Sequence, residues 1–236
     1  FSINKNILQN LLLEHQKVVP IRTTLPVLSC AFLKITKQTL TIKTTDLEQT
    51  IISTTKIKDE KEGVVCAPMN KLCEIVSALP NEEIRININE DLLIEINSNQ
   101  GVYKITGRDP GEFPDNPPPK TKETIEMPGK DFADIIEKTT FATSRDDLKP
   151  ALSGVYININ EEKTTAVATD GHRLVKYEKE IKSKKNHSIV VPVKFLKIIK
   201  NTIDEKNIIK VDIDENLLST NQKNFTITTR IIKETF

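Results

Sequence analysis

The sequence predicts an α+β protein built from two tandem copies of one domain. Three observations lead there. The chain matches itself in one ungapped register, each copy alternates period-two apolar runs with helices carrying a single apolar stripe, and a proline cluster stands between the copies. Sliding the chain by 124 residues aligns Leu25-Pro26-Val27-Leu28-Ser29 with Lys149-Pro150-Ala151-Leu152-Ser153, Thr45-Asp46 with Thr169-Asp170, and Pro68 with Pro192. Over 26–79, thirteen of fifty-four residues are identical to their partners at 150–203. Pro110, Pro114, Pro117, Pro118 and Pro119 crowd the join, where neither a helix nor a central strand can continue. The expected domains are therefore 1–123, ending in a stiff linker over 109–123, and 124–236.

Each copy is expected to use a strand, a helix and three antiparallel strands, twice, with the helices on one face of the sheets. In the first copy an extended segment at 1–3 precedes a helix over 5–14, with Ile7, Leu8, Leu11 and Leu12 on one face. Period-two runs follow at 32–35, 40–43 and 49–57. A second extended segment, 64–66, leads through Pro68 into a helix over 70–79 with Leu72, Ile75, Val76 and Leu79 inward, then runs at 84–88, 92–96 and 102–106. The second copy repeats the series. A segment at 124–126 and Pro128 precede a helix over 130–138 with Phe132, Ile135 and Ile136 inward. Runs at 155–159, 165–168 and 174–181 follow. A segment at 188–191 and Pro192 open a helix over 193–203 with Phe195, Leu196, Ile199 and Ile203 inward, and runs at 208–213 and 225–232 close the copy. Proline's fixed φ and missing N–H suit the opening turn of a helix. The last hairpin of the second copy reads as three residues shorter than that of the first, taking Leu93 to Arg108 against Leu218 to Arg230.

Composition removes several classes of function. At 236 residues, 37% apolar and 28% charged, the chain is an ordinary globular one. No apolar run approaches the roughly eighteen residues of a membrane span, so no membrane role is expected and the location expected is cytoplasmic. Three cysteines, Cys30, Cys66 and Cys73, suit reduced thiols, and no metal site or cofactor is expected. The phosphate-cradling glycine motifs and the commoner hydrolase signatures are missing from the sequence.

The net charge of +1 hides segregation. Residues 172–210 hold eleven Lys/Arg against four Asp/Glu, leaving the rest of the chain net acidic. On the helix over 193–203, Lys194, Lys197 and Lys200 fall opposite the apolar stripe. By itself such a face is most often a solvated one. The Asp170-Gly171-His172-Arg173 cluster has two readings from chemistry alone: Asp170 orienting His172 as a general base, for which no nucleophile or oxyanion donor is at hand, or a tight turn in which glycine takes positive φ.

These motifs give a third reading. Arg22-Thr23-Thr24-Leu25-Pro26-Val27-Leu28, Thr45-Asp46-Leu47-Glu48, Cys66-Ala67-Pro68 with Leu79-Pro80, and Thr169-Asp170-Gly171-His172-Arg173-Leu174 occur in the order and spacing of the bacterial DNA polymerase III beta subunit, the sliding clamp, which the chain resembles over its whole length. The resemblance implies a non-catalytic processivity factor. In that family a subunit carries three such domains, and a head-to-tail homodimer closes a ring around double-stranded DNA of any sequence. This chain is expected to hold the first two and to lack the third. The resemblance implies DNA-facing roles for Arg22, Lys149, Lys194, Lys197 and Lys200. It also implies that Leu152, Thr169, Gly171, His172, Arg173 and Leu174 form half of a cleft for short peptides of the replicative DNA polymerase, the clamp loader and other clamp-binding proteins. Two further readings remain open here: a clamp-fold adaptor that binds peptides without encircling DNA, and a hydrolase using His172.

Overall fold

A computed structural model of the chain describes residues 1–58, 61–115, 123–146, 148–181, 186–222, 224–234 and 236. The chain divides into two compact units, Phe1–Pro117 and Pro118–Phe236. The central part of the expected linker, 116–122, lies outside the described residues. Its first part, Pro110–Glu112, is a short 3-10 turn with the Asp109 side chain accepting from the amide of Gly111.

The first unit runs β1 (Ser2–Asn4), α1 (Lys5–Gln16), β2 (Cys30–Thr36), β3 (Thr39–Thr45), β4 (Gln49–Lys56), β5 (Gly63–Pro68), α2 (Met69–Ala78), β6 (Glu83–Ile88), β7 (Leu93–Ser98) and β8 (Gly101–Thr106). The second runs β9 (Glu123–Pro128), α3 (Gly129–Thr139), β10 (Gly154–Ile159), β11 (Thr164–Thr169), β12 (Leu174–Lys179), β13 (His187–Pro192), α4 (Val193–Thr202), β14 (Ile208–Ile213), β15 (Leu217–Gln222) and β16 (Phe225–Arg230). The expected strand–helix–three-strand series is present twice in each unit.

Pairing adds what periodicity cannot supply. The leading strand of each series joins the other series' meander: β1 pairs with β6 and β5 with β2, while β9 pairs with β14 and β13 with β10. Each unit thus ties its two halves together by strand exchange, with antiparallel four-strand orders β1-β6-β7-β8 and β5-β2-β3-β4 in one, β12-β11-β10-β13 and β16-β15-β14-β9 in the other. The exchange recurs down to single bonds. The Lys5 amide donates to the Glu82 carbonyl at 2.9 Å as the Gly129 amide does to Asn207 at 2.8 Å, and the bridge Cys66–Arg108 is matched by Val190–Ile232.

The helices form where the stripes predict, and each packs against sheet strands and against its companion, α1 on α2 and α3 on α4. Leu8, Leu11 and Leu12 of α1, Leu72 and Val76 of α2, Phe132, Ile135 and Ile136 of α3, and Phe195, Leu196 and Ile199 of α4 are all buried. Each such side chain contributes about 1.5–3 kcal/mol of transfer free energy. Ile7 departs from expectation: it is 49% exposed, and the fourth inward place on α1 is taken by His15, wholly buried. Its Nδ1 lies 2.9 Å from the Thr44 Oγ1 and its Nε2 2.7 Å from the Ser53 Oγ. The Thr44 hydroxyl also donates to the His15 carbonyl, so it accepts from Nδ1–H while Nε2 accepts from Ser53. Burial holds this imidazole neutral, its pKa lowered to about 3.

Pro68, Pro128 and Pro192 sit one place earlier than the first helical turn. Each closes its strand as the N-cap, with φ between −58° and −55° and extended ψ.

The expected shorter hairpin is not there. β7–β8 and β15–β16 are each two six-residue strands with two residues of sequence between them, Leu93 corresponding to Leu217 and Thr106 to Arg230 at the same offset of 124. Arg108 and Arg230 are not equivalent residues. β15 itself carries no apolar alternation, yet Ser219, Thr220 and Gln222 are buried because they bond to one another's neighbourhood: Thr220 to the Lys210 carbonyl, Gln222 to Thr220, and Thr228 to Ser219.

Candidate functional site

The segment Thr169–Leu174 is a turn built almost entirely from its own hydrogen bonds. The Thr169 hydroxyl donates to the Arg173 carbonyl at 2.7 Å and accepts from the Gly171 amide at 3.1 Å. One oxygen of Asp170 accepts from the amides of His172 and Arg173, each at 3.0 Å. Its other oxygen accepts from the Arg173 Nε at 2.9 Å. These amide bonds first, and the guanidinium second, hold the Asp170 carboxyl below the usual carboxylate range. Asp170 is therefore spent on the turn and on Arg173, and it meets the backbone of His172, not its ring. The general-base reading loses its orienting group.

The first unit contains the same turn. Thr45 donates to the Gln49 carbonyl at 2.7 Å and accepts from Leu47, and Asp46 accepts from Glu48 and Gln49 at 3.1 and 2.6 Å. Beyond the shared frame the copies differ. In place of Gln49, which is 1% exposed, stands Arg173, with its side chain 57% exposed.

Arg173 reaches further than its own turn. Its terminal NH2 donates to the Phe141 carbonyl at 2.7 Å, and its guanidinium carbon lies 5.7 Å from the centre of the Phe141 ring, which is 56% exposed. Phe141 belongs to a 3-10 turn, Thr140–Ala142, that continues α3. It was missed in the sequence, though it carries a signal: five residues beyond Ile136 it lies roughly 140° off the buried stripe, an aromatic where a solvent-facing residue is due.

Around this strut lies a recess of about 490 Å³ walled by Phe141, Arg145, Lys149, His172, Arg173 and Lys197 among others. The structure thus brings Lys149 and Lys197, expected to face DNA, beside His172 and Arg173, expected to face peptide. Leu152 stands outside the recess in the turn Pro150–Ser153, half-buried, its carbonyl accepting from the amide of Ser144, which lines the recess. Leu174 pairs with Thr169 across β11 and β12 and is 64% exposed, and Gly171, also exposed, has φ +89°. Arg22 belongs to the other unit, where it lines a groove with Leu25, Leu28, Asp46 and Leu47 beside the equivalent turn.

On α4, Lys194, Lys197 and Lys200 are all exposed, in contrast to Cys73 and Val76, which are buried on α2 at the places equivalent to Lys197 and Lys200. Lys200 lies 3.3 Å from Glu137, both side chains well exposed, so the pair is weak and easily exchanged for another anion. Burial pushes the Cys66 thiol up to about 12 and Cys73 up to about 11, and raises Cys30 as well, leaving no thiolate nucleophile among them. Among the described residues no cluster of His, Cys, Asp and Glu is arranged to hold a metal ion, and no helix is long and apolar enough to cross a membrane.

Comparison with known proteins gives a consistent answer. The family model for the DNA polymerase III beta subunit, N-terminal domain, matches residues 1–117, and that for the central domain matches 126–236. The beta sliding clamp of Halalkalibacterium halodurans is 27% identical over 99% of this chain and 65% of its own length. That of Chlamydia pneumoniae is 24% identical over 100% and 65%. Among solved structures, the DNA polymerase sliding clamp of Bacillus subtilis superposes with a TM-score of 0.92 at 23% identity, covering 100% of this chain and 65% of that one. The Pseudomonas aeruginosa sliding clamp bound to griselimycin gives 0.90 at 25%, with the same coverage. The chain spans about 65% of the length of these relatives.

Proposed function

Because the chain belongs to the DNA polymerase III beta subunit family, we propose that it supplies two of the three domains of a processivity clamp, a non-catalytic, cytoplasmic ring that encircles duplex DNA and tethers the replicative polymerase to it. A ring that slides must hold its track without reading it. Contacts to phosphate position a protein on DNA without specifying sequence, and lysine's compact, hydrated charge suits them. The observation that carries this reading is the exposed row Lys194, Lys197 and Lys200 on α4, where the first-unit counterparts of Lys197 and Lys200, Cys73 and Val76, are buried. Lys149, beside the Thr-Asp turn of the second unit, extends that cationic surface, and Arg22 stands beside the corresponding turn of the first unit.

The second part of the proposal is a peptide cleft. Leu174 and Leu152 offer apolar contact, and the Thr169–Arg173 turn offers a rigid wall that costs no ordering on binding. The polymerase, the clamp loader and other clamp-binding proteins are its partners, and a homodimer at the full length of its relatives closes the ring. Substituting Lys194, Lys197 and Lys200 together by Glu tests the DNA-facing assignment: loading onto primed circular DNA is expected to fail. Loading at the wild-type rate would reduce the row to a solubilising face.

A further inference from the structure

Duplication gives this protein an internal control. Where two copies of one turn share the hydrogen bonds of its Thr-Asp frame, the residues that differ mark what one copy does and the other does not. Thr45 and Thr169, Asp46 and Asp170 keep the frame. The differences are Leu47 against Gly171, Glu48 against His172, Gln49 against Arg173, and, at the end of the preceding helix, Lys17 against Phe141. The last two are coupled only in the second unit. Gln49 is buried, and Lys17 pairs with Glu14 at 2.6 Å within its own helix. Arg173 and Phe141 instead grip each other through a carbonyl bond and a ring face, both largely exposed.

Resting on the peptide-cleft reading above, we infer that Phe141 is a further peptide-contacting residue and that Arg173 is its positioning residue. Arg173 has three attachments: Asp170 through Nε, the Phe141 carbonyl through its terminal NH2, and the Phe141 ring, whose centre lies 5.7 Å from the guanidinium carbon. A planar fork can satisfy all three together; an ammonium cannot. The guanidinium thereby fixes the distance between the turn and the end of α3, and it presents a half-open aromatic face at the edge of the recess. An aromatic already held in place binds an apolar side chain with little loss of rotamer freedom, which is the character of an interface anchor. The ligand chemistry is that of the cleft reading, a short peptide with apolar side chains.

The chain has no tryptophan, so Phe141→Trp introduces a single reporter. The probe is the peptide Leu-Ser-Leu-Ser-Leu, with fluorescein on its N-terminus for anisotropy and unlabelled for tryptophan emission. Saturating peptide is expected to shift the Trp emission to the blue, and Phe141→Ala to weaken binding about tenfold. Arg173→Lys is expected to weaken binding as much as Arg173→Ala, and in the Phe141→Trp background to lower the anisotropy of the reporter while thermal unfolding stays put. Phe141→Tyr, which keeps the ring, restores affinity. If His172→Ala abolishes binding while Phe141→Ala and Arg173→Lys bind as wild type, the inference is overturned and the cleft reading stands. No binding to the wild-type protein at the full length of its relatives overturns both. A reporter that responds to oligo-dT and not to the peptide assigns the aromatic face to single-stranded nucleic acid and overturns the inference as well.

Discussion

Leu47 and Gly171 occupy one place in the duplicated turn, and both hold a left-handed backbone, φ +77° and +89°, although only one of them is glycine. The hydrogen-bonded frame of Thr and Asp imposes the conformation, and the first unit bears it with a side chain for which it is unfavourable by about 1 kcal/mol. At Gly171 the space around an added Cβ is open. Gly171→Ala is therefore expected to lower stability by about 1 kcal/mol, from backbone conformation alone. Gly129→Ala is the contrast: its Cβ would run into the carbonyls of Asp204 and Asn207, which are backbone and cannot swing aside. A cost of about 3 kcal/mol or more follows. Urea unfolding of the two variants measures the difference, and equal midpoints would contradict the close approach at Gly129.

Stability should also depend on pH through His15. Its folded pKa is about 3 against about 6.5 unfolded, so the unfolded chain binds the extra proton first. The contribution is fully present above about pH 6.5 and is lost progressively as pH falls towards 3, at up to about 1.4 kcal/mol per unit. Carboxylates also titrate in that range, so the readout is a difference. Wild type is expected to lose about 2 kcal/mol more than His15→Gln between pH 7.5 and pH 5. Parallel pH profiles for the two proteins would show that His15 is not buried neutral.

The segment after β8 is fastened to the first unit by Phe113. Its ring lies 5.3 Å from Phe32, with Lys43 5.6 Å above it and donating to the Pro114 carbonyl at 3.3 Å. Burial lowers the Lys43 pKa, and nearby Asp115 partly offsets this. Phe113→Ala is expected to destabilise the unit by about 1–2 kcal/mol and to raise the rate of limited proteolysis between 113 and 123. An unchanged cleavage rate would mean the segment is held by something else.

How much of this was legible beforehand follows from the range of each interaction. Stripes such as Phe132, Ile135 and Ile136 are local, and they placed four helices. The exchange of β1 and β5 between meanders was invisible because period two marks a strand without naming its neighbour. β15 escaped notice because Ser219, Thr220 and Gln222 are buried by hydrogen bonding, which leaves no apolar alternation to count. Within the candidate site, Thr169–Leu174 was readable as a motif. The tie from Arg173 to Phe141 was not, since it spans thirty-two residues and depends on where α3 ends.

Salt dependence separates the two kinds of hold the proposal contains. Direct binding of linear duplex through Lys194, Lys197 and Lys200 is expected to weaken steeply as salt rises, with a slope on a log–log plot that falls by about one per lysine removed. A slope unchanged in the triple glutamate variant would take these residues off the DNA.

Topology is the central claim, and one measurement reaches it. At the full length of its relatives, the protein loaded onto closed circular duplex is expected to survive a high-salt wash, then to leave when a single cut makes the circle linear. Equal retention before and after the cut would show that it grips DNA without surrounding it.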